Sequence, residues 1–216
     1  MQEAIFAAGC FWGVQDYFDQ VPGVVETEVG YIGGQVDQPT YEQVSSHRTG
    51  HAEATRIVYD PAKVVAGAGD SKADAMQGAG EQRTETYAQY DEGAAQTATP
   101  QSADSEGRAG GSADQRALAF RILLKQFFHM HDPTQLNRQG PDVGDNYRSA
   151  IFYKDDAQKT AGQKLIDQLN ESGEYKKPIV TTLEPAGKFW PAEDYHQHYT
   201  QKTGYGACHI NYEPVN

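Results

Sequence analysis

Near its start the chain carries a short, mostly apolar run, residues 3–8, then a turn, then apolar side chains recurring at helical spacing. This predicts a strand over 3–8 and an amphipathic helix over 12–20. Strict alternation of Val24, Glu26 and Glu28 against Val25, Thr27 and Val29 predicts a strand over 24–32, stopped by Gly33-Gly34. A short helix is expected over 39–46 and a strand over 51–59, closed by the turn Asp60-Pro61. In the second half, a strongly apolar helix is expected over 118–130, ending at His131-Asp132-Pro133. A loop rich in Gly, Asn and Asp spans 137–146, then a strand over 147–153, an amphipathic helix over 156–172 and a strand over 179–183. A last helix over 191–202 leads into the tail 203–216. No internal repeat interrupts this alternation, which points to strands and helices around one core, a two-layer α/β or α+β sandwich.

The pattern stops between the two halves. Residues 66–117 contain no Leu, Ile, Val, Phe, Trp or Cys, and their only large apolar groups are Met76, Tyr87 and Tyr90. A segment of about 50 residues with so little to bury cannot offset its ordering entropy. It is expected to be a disordered insertion within a single domain spanning 1–216, with the two tyrosines as its only anchors if it docks on a partner.

The chain has 216 residues and 38% hydrophobic content, enough for one sizeable core. Its mean hydropathy of −0.71 is low for such a domain, in keeping with a portion that is not core. A net charge of −12 and the absence of a basic run argue against nucleic acid as a partner. The apolar runs are far too short for a membrane span. The N-terminus reads as a strand rather than a secretory leader, so the expected location is the cytoplasm, and the expected state is a monomer. The two cysteines, Cys10 and Cys208, lie near opposite ends of the chain. In a reducing compartment they are not expected to form a permanent disulfide, whereas transient closure in a redox cycle is compatible with it.

Gly9-Cys10-Phe11-Trp12-Gly13 places a cysteine where a strand turns into a helix. Unpaired N–H groups and the partial positive charge of a helix N-terminus both favour a thiolate, and two aromatics beside it could wall a small apolar pocket. Taken alone, the same position also suits a buried structural cysteine. His129-x-His131 and His196-x-His198 invite a metal reading, but residues two apart on a helix diverge. Glu193 and His196 share a face, yet a third ligand would have to come from elsewhere, and no metal or other cofactor is expected. Cys10 paired with His51 or His196 would suit an acyl hydrolase.

Gly9-Cys10-Phe11-Trp12-Gly13, Gly30-Tyr31-Ile32-Gly33-Gly34 and Pro39-Thr40-Tyr41-Glu42-Gln43-Val44 resemble the peptide methionine sulfoxide reductase A family. So do Thr49-Gly50-His51-Ala52-Glu53, His131-Asp132-Pro133-Thr134-Gln135, Asp142 through Tyr147-Arg148-Ser149-Ala150-Ile151, and Glu193-Asp194-Tyr195-His196-Gln197. The motifs run in order over both ends of the chain and skip only the insertion. The resemblance implies an α+β fold with a ferredoxin-like core and reduction of the S epimer of methionine sulfoxide, free or in proteins, without a bound cofactor. It implies Cys10 as nucleophile, Glu53 as acid, Tyr41 and Tyr147 as substrate-binding tyrosines, Asp142 as a supporting carboxylate, and Phe11 and Trp12 as the aromatics that hold the S-methyl.

That chemistry suits those residue types. A thiolate attacks the sulfoxide sulfur, and the oxygen needs a proton from a carboxyl kept neutral by partial burial. Phenol hydroxyls can donate to the oxygen as its charge grows. The sulfenic acid left on Cys10 condenses with a second thiol. Cys208, in the glycine-rich tail, is the candidate, and the resemblance makes thioredoxin the external dithiol that reopens the pair. A single C-terminal cysteine leaves no room for a three-cysteine relay. A non-catalytic module that binds oxidised Met is the alternative, and it would need neither the thiolate nor the acid.

Overall fold

β1 (Gln2–Ala8) lies inside the sheet, and its composition follows from that place. Ala4, Phe6 and Ala8 pack into one cluster and Ile5 and Ala7 into another. A strand covered on both faces loses polar alternation and reads as a continuous apolar run. β1 pairs antiparallel with β3 (Ala52–Tyr59) on one side and with β6 (Ser149–Tyr153) on the other. β2 (Val24–Ile32) pairs antiparallel with β3. Two short strands complete the sheet: β7 (Thr182–Pro185) runs parallel to β6, and β8 (Trp190–Pro191) antiparallel to β2. The six-stranded order is β7-β6-β1-β3-β2-β8.

The computed structural model describes residues 1–70, 111–205 and 210. The expectation of disorder falls mainly on 71–110, outside the described residues, as do Cys208 and most of the tail.

Within the sheet, β6-β1-β3-β2 is the ferredoxin-like arrangement, with α1 (Phe11–Asp19) joining β1 to β2 and α4 (Ala113–Met130) leading towards β6. The fold is α+β, as expected. Both helices bury their apolar stripes on one face, where the Phe6 ring meets Phe127 at 4.9 Å, Phe18 at 5.7 Å and Phe120 at 6.1 Å. Leu165, Ile166 and Leu169 of α5 (Asp156–Ser172) extend that cluster. The opposite face buries Ile32, Ala52, Ala54, Ala150 and Phe152, covered in part by Ala186 and Phe189. No described helix is long and apolar enough to cross a membrane.

Several boundaries differ from the sequence pattern, each for a local reason. α2 is only Tyr41–Ser45, capped by reciprocal bonds between Thr40 and Gln43. The turn at Asp60-Pro61 starts a helix, α3 (Pro61–Asp70), whose Val64 is buried in the core. α4 starts at Ala113 rather than 118, because Ser112 and Gln115 form a capping box. Helix therefore reaches into both ends of the apolar-poor stretch. β7 begins at Thr182, where parallel pairing with β6 starts, not at 179. Tyr147 lies in a single 3₁₀ turn, Asp145–Tyr147, ahead of β6, rather than in the strand.

The largest correction is the last helix. Pro191 is in the sheet, residues 194–198 form turns, and only Tyr199–Thr203 (α6) is helical. Side chains on this segment bond away from it: Tyr41 N–H donates to Glu193 and Val29 N–H donates to Gln197. His198 adopts a left-handed conformation, with φ of 51°, which a continuous helix does not permit.

β8 can dock on β2 only because position 30 is glycine. A Cβ there would lie 2.3 Å from the Trp190 carbonyl oxygen and 2.6 Å from the Phe189 ring. Gly30→Ala should therefore push β8 outward and cost about 2 kcal/mol of stability, read as a lower midpoint in urea unfolding.

Candidate active site

α1 begins at the residue that the sequence singles out. Gly9 turns the chain with φ of 92°, which glycine adopts without steric cost, and Cys10 takes the N-cap position with φ −57° and ψ 121°. The cysteine is largely buried, at 9% exposure. The first N–H of the helix, on Phe11, donates to Oε2 of Glu53 at 3.2 Å. Helix N-termini carry N–H groups with no partner in the helix and a partial positive charge. Here a carboxyl from another strand meets one of them.

Glu53 reaches that position by register. It lies opposite Tyr31 in the β2–β3 ladder, while its neighbours Ala52 and Ala54 face the other side of the sheet. It is 2% exposed, so a strand residue that sequence alone would leave facing solvent is enclosed at the start of α1.

The two tyrosines lie within electrostatic reach of Glu53. Tyr41 is the first residue of α2. Burial is the main cause that raises its pKa, and the nearby acidic groups of Glu53, Cys10 and Asp142 add to the rise. Tyr147 is raised chiefly by burial, then by Glu53, Tyr41 and Asp142, with an opposing contribution from Asn146. Both phenols therefore stay protonated, as hydrogen-bond donors, at neutral pH. The electrostatic reach of these groups gathers Cys10, Glu53, Tyr41, Tyr147 and Asp142 at one site. Asp142 belongs to β5 (Asp142–Val143), which pairs with β4 (Arg138–Gln139).

Phe11 and Trp12 differ in exposure. Phe11 is 1% exposed and packs on Tyr31 at 5.9 Å. Trp12 is half-buried and stacks on Tyr199 at 3.9 Å, with 13° between the ring planes. Its indole N–H donates to Nδ1 of His196 at 3.0 Å. Tyr31, Glu193, His196 and Tyr199 thus belong to the surroundings of the site; of these the sequence suggested only His196 as a neighbour of Cys10, as the partner of an acyl hydrolase. The available signal was the three-residue spacing of Glu193 and His196, considered for metal ligation.

His51, His131 and His198 are engaged elsewhere. Nδ1 of His51 accepts from Gly34 N–H at 3.1 Å, and Nε2–H donates to the Val36 carbonyl at 2.8 Å. His131 lies between the Phe127 carbonyl and the Ser149 hydroxyl, at 2.6 and 2.7 Å. His198 pairs with Asp19 at 2.9 Å. Among the described residues no group of three or more His, Cys, Asp or Glu could hold a metal ion.

A family model described as peptide methionine sulfoxide reductase matches residues 2–68 and 112–216. A peptide methionine sulfoxide reductase MsrA from Methanoculleus marisnigri is 38% identical over 208 residues, covering 96% of this chain and 94% of that protein. Its counterpart from Geobacter metallireducens is 40% identical, covering 96% and 95%. Among solved structures, methionine sulfoxide reductase A of Corynebacterium diphtheriae matches with a TM-score of 0.62 at 27% identity, over 95% of this chain and 76% of that one. The chain belongs to the peptide methionine sulfoxide reductase family.

The family match resumes at residue 112, where Ser112 caps α4, and leaves 69–111 unmatched. Within the matched part, Arg148 ties Tyr147 to the sheet. Its guanidinium grips Glu184 with two bonds, at 3.0 and 3.1 Å, and also donates to the Asp145 carbonyl at 3.0 Å. Burial would raise the Glu184 pKa, but bonds from Arg148 and Thr182 outweigh it and hold the carboxyl below its ordinary 4.5.

A carboxyl whose folded pKa is depressed adds stability above its unfolded pKa, and that contribution is lost as pH falls through the folded value. Arg148→Lys cannot reproduce the planar fork and should cost about 1–2 kcal/mol at pH 7. The deficit relative to wild type should shrink in urea unfolding series taken at successively lower pH below 4.5.

Proposed function

We propose that the chain reduces the S epimer of methionine sulfoxide, free or in proteins, to methionine. The observation that carries this reading is the bond from Phe11 N–H to the enclosed carboxyl of Glu53, which puts an acid beside the cysteine that starts α1. Family membership supports the reaction, and the gathering of Tyr41, Tyr147 and Asp142 at the same point supports the residue roles.

The Cys10 thiolate attacks the sulfoxide sulfur while Trp12, backed by Phe11, holds the S-methyl. Enclosure disfavours the charged form of Glu53, so its carboxyl supplies a proton to the sulfoxide oxygen. Tyr41 and Tyr147 donate hydrogen bonds as negative charge grows there, and Asp142 supports the polar side of the site. The attack forms an S–S bond between Cys10 and the substrate; as the protonated oxygen passes to the Cys10 sulfur, the S–O and S–S bonds break, methionine leaves as the thioether, and Cys10 is left as a sulfenic acid. Cys208, which lies outside the described residues, then attacks that sulfur; water leaves and a disulfide forms. Thioredoxin reduces the disulfide by exchange, itself becoming oxidised. The protein acts as a cytoplasmic monomer in repair of oxidised methionine, with the insertion interrupting one domain rather than dividing two.

The test is turnover of separated S and R epimers of a blocked methionine sulfoxide, with thioredoxin or a small dithiol as reductant. Wild type should consume the S epimer alone, and Cys10→Ser should consume neither. Cys208→Ser should turn over with small dithiols and stall with thioredoxin. Glu53→Gln should lose about 10²–10⁴-fold in kcat. Consumption of neither epimer by wild type with any reductant overturns the reading, and reductant-free hydrolysis of esters or amides would replace it with acyl transfer.

A further inference from the structure

His196 is 1% exposed and enclosed by aromatic rings: Tyr195 at 4.1 Å, Tyr41 at 4.6 Å, Phe11 at 5.2 Å and Trp12 at 5.5 Å. An indole N–H can only donate, so the 3.0 Å bond from Trp12 makes Nδ1 of His196 the acceptor. A neutral ring then carries its proton on Nε2. That atom is buried without a hydrogen-bond partner among the described residues, with Oε2 of Glu193 at 4.0 Å.

Glu193 is itself held from two sides. The Tyr31 hydroxyl donates to its Oε2 and Tyr41 N–H to its Oε1, both at 2.9 Å. Burial would raise its pKa, but these bonds outweigh it and keep the carboxyl charged. Burial lowers the His196 pKa below 6.5, and the Glu193 charge opposes this only in part. The imidazole is therefore neutral at neutral pH, the state in which Nδ1 can accept. On the far side of this chain of contacts, Tyr199 stacks on the indole.

We propose that His196 is a positioning residue for substrate selection: its Nδ1 holds the Trp12 indole in one orientation, and that orientation sets how large an S-alkyl group the site admits. The inference rests on the reading of Trp12 as a wall of the methyl pocket. Swinging the indole away would break its N–H bond and strand a buried Nδ1, a costly exchange. Edge and face of the ring are thus both fixed, by His196 and by Tyr199.

The experiment compares His196→Asn with His196→Gln. The Asn side chain can place an acceptor oxygen close to the position of Nδ1; the Gln amide lies one bond further out. Both are neutral amides of similar size, so a purely packing role predicts no systematic difference. A blocked methionine S-sulfoxide and its S-ethyl counterpart are the substrates. The ratio of their kcat/KM values, methyl over ethyl, should stay near wild type in His196→Asn. It should fall about tenfold or more in His196→Gln, because one methylene is worth about that much in a tight apolar pocket.

Two further readouts do not depend on activity. In a Trp190→Phe background Trp12 is the sole tryptophan, and its fluorescence anisotropy should be high in wild type and His196→Asn and lower in His196→Gln. Nitrogen NMR of the wild-type imidazole at pH 7 should find Nδ1 bare and Nε2 protonated. The opposite tautomer, or equal ratios and anisotropies in the two variants, overturns the inference. An inactive wild type instead overturns the proposed function, while anisotropy and tautomer still decide whether His196 holds Trp12. If neither variant folds, the wild-type tautomer decides alone.

Discussion

The bond between Phe11 N–H and Glu53 joins two parts of the chain that share no local sequence. A helix N-terminus exposes donors that its own turns cannot satisfy, and an enclosed carboxyl is tolerated only where donors meet it. Each solves the other's problem at 3.2 Å. Because Cys10 caps the same helix, the bond also fixes where a sulfur and an acid lie relative to one another. The β2–β3 register, the Gly9 turn and the seating of α1 on the Phe6 cluster all serve that meeting.

A second constraint comes from the far end of the chain. Residues 190–199 cross the edge of the sheet and pin the aromatic side of the site. Pro191 pairs with Gly30, Gln197 takes the Val29 N–H, Glu193 takes the Tyr41 N–H, and His196 takes the Trp12 indole. These bonds replace those that a continuous helix would have made internally. Most of the segment's polar side chains are committed to neighbouring elements, although Gln197 also donates to the Ala192 carbonyl within the segment.

Much of the fold was legible. The apolar run at 3–8, the alternation at 24–32 and the amphipathic stretch at 156–172 each correspond to the element their period predicts. So was the setting of Cys10, since glycine, cysteine and aromatics at a strand-to-helix turn state local geometry directly. The last helix was not legible, because periodicity reports an apolar face and cannot tell whether a nearby strand will claim the backbone. The start of α4 was missed for a different reason: its first turn is stabilised by the Ser112–Gln115 capping box, which adds nothing to an apolar pattern.

By itself the sequence determined the elements with strong hydrophobic period, the helix start at Cys10 and the residue types that the chemistry requires. Those are local properties, set by side-chain volume, backbone freedom and spacing. Tertiary structure alone decided that Glu53 is enclosed, that Tyr41 and Tyr147 from opposite halves of the chain lie within its electrostatic reach, and that His196 accepts from the Trp12 indole. These follow from strand register and from the pairing of buried polar groups. Both are fixed only when distant segments close on one another and every enclosed donor must find its acceptor.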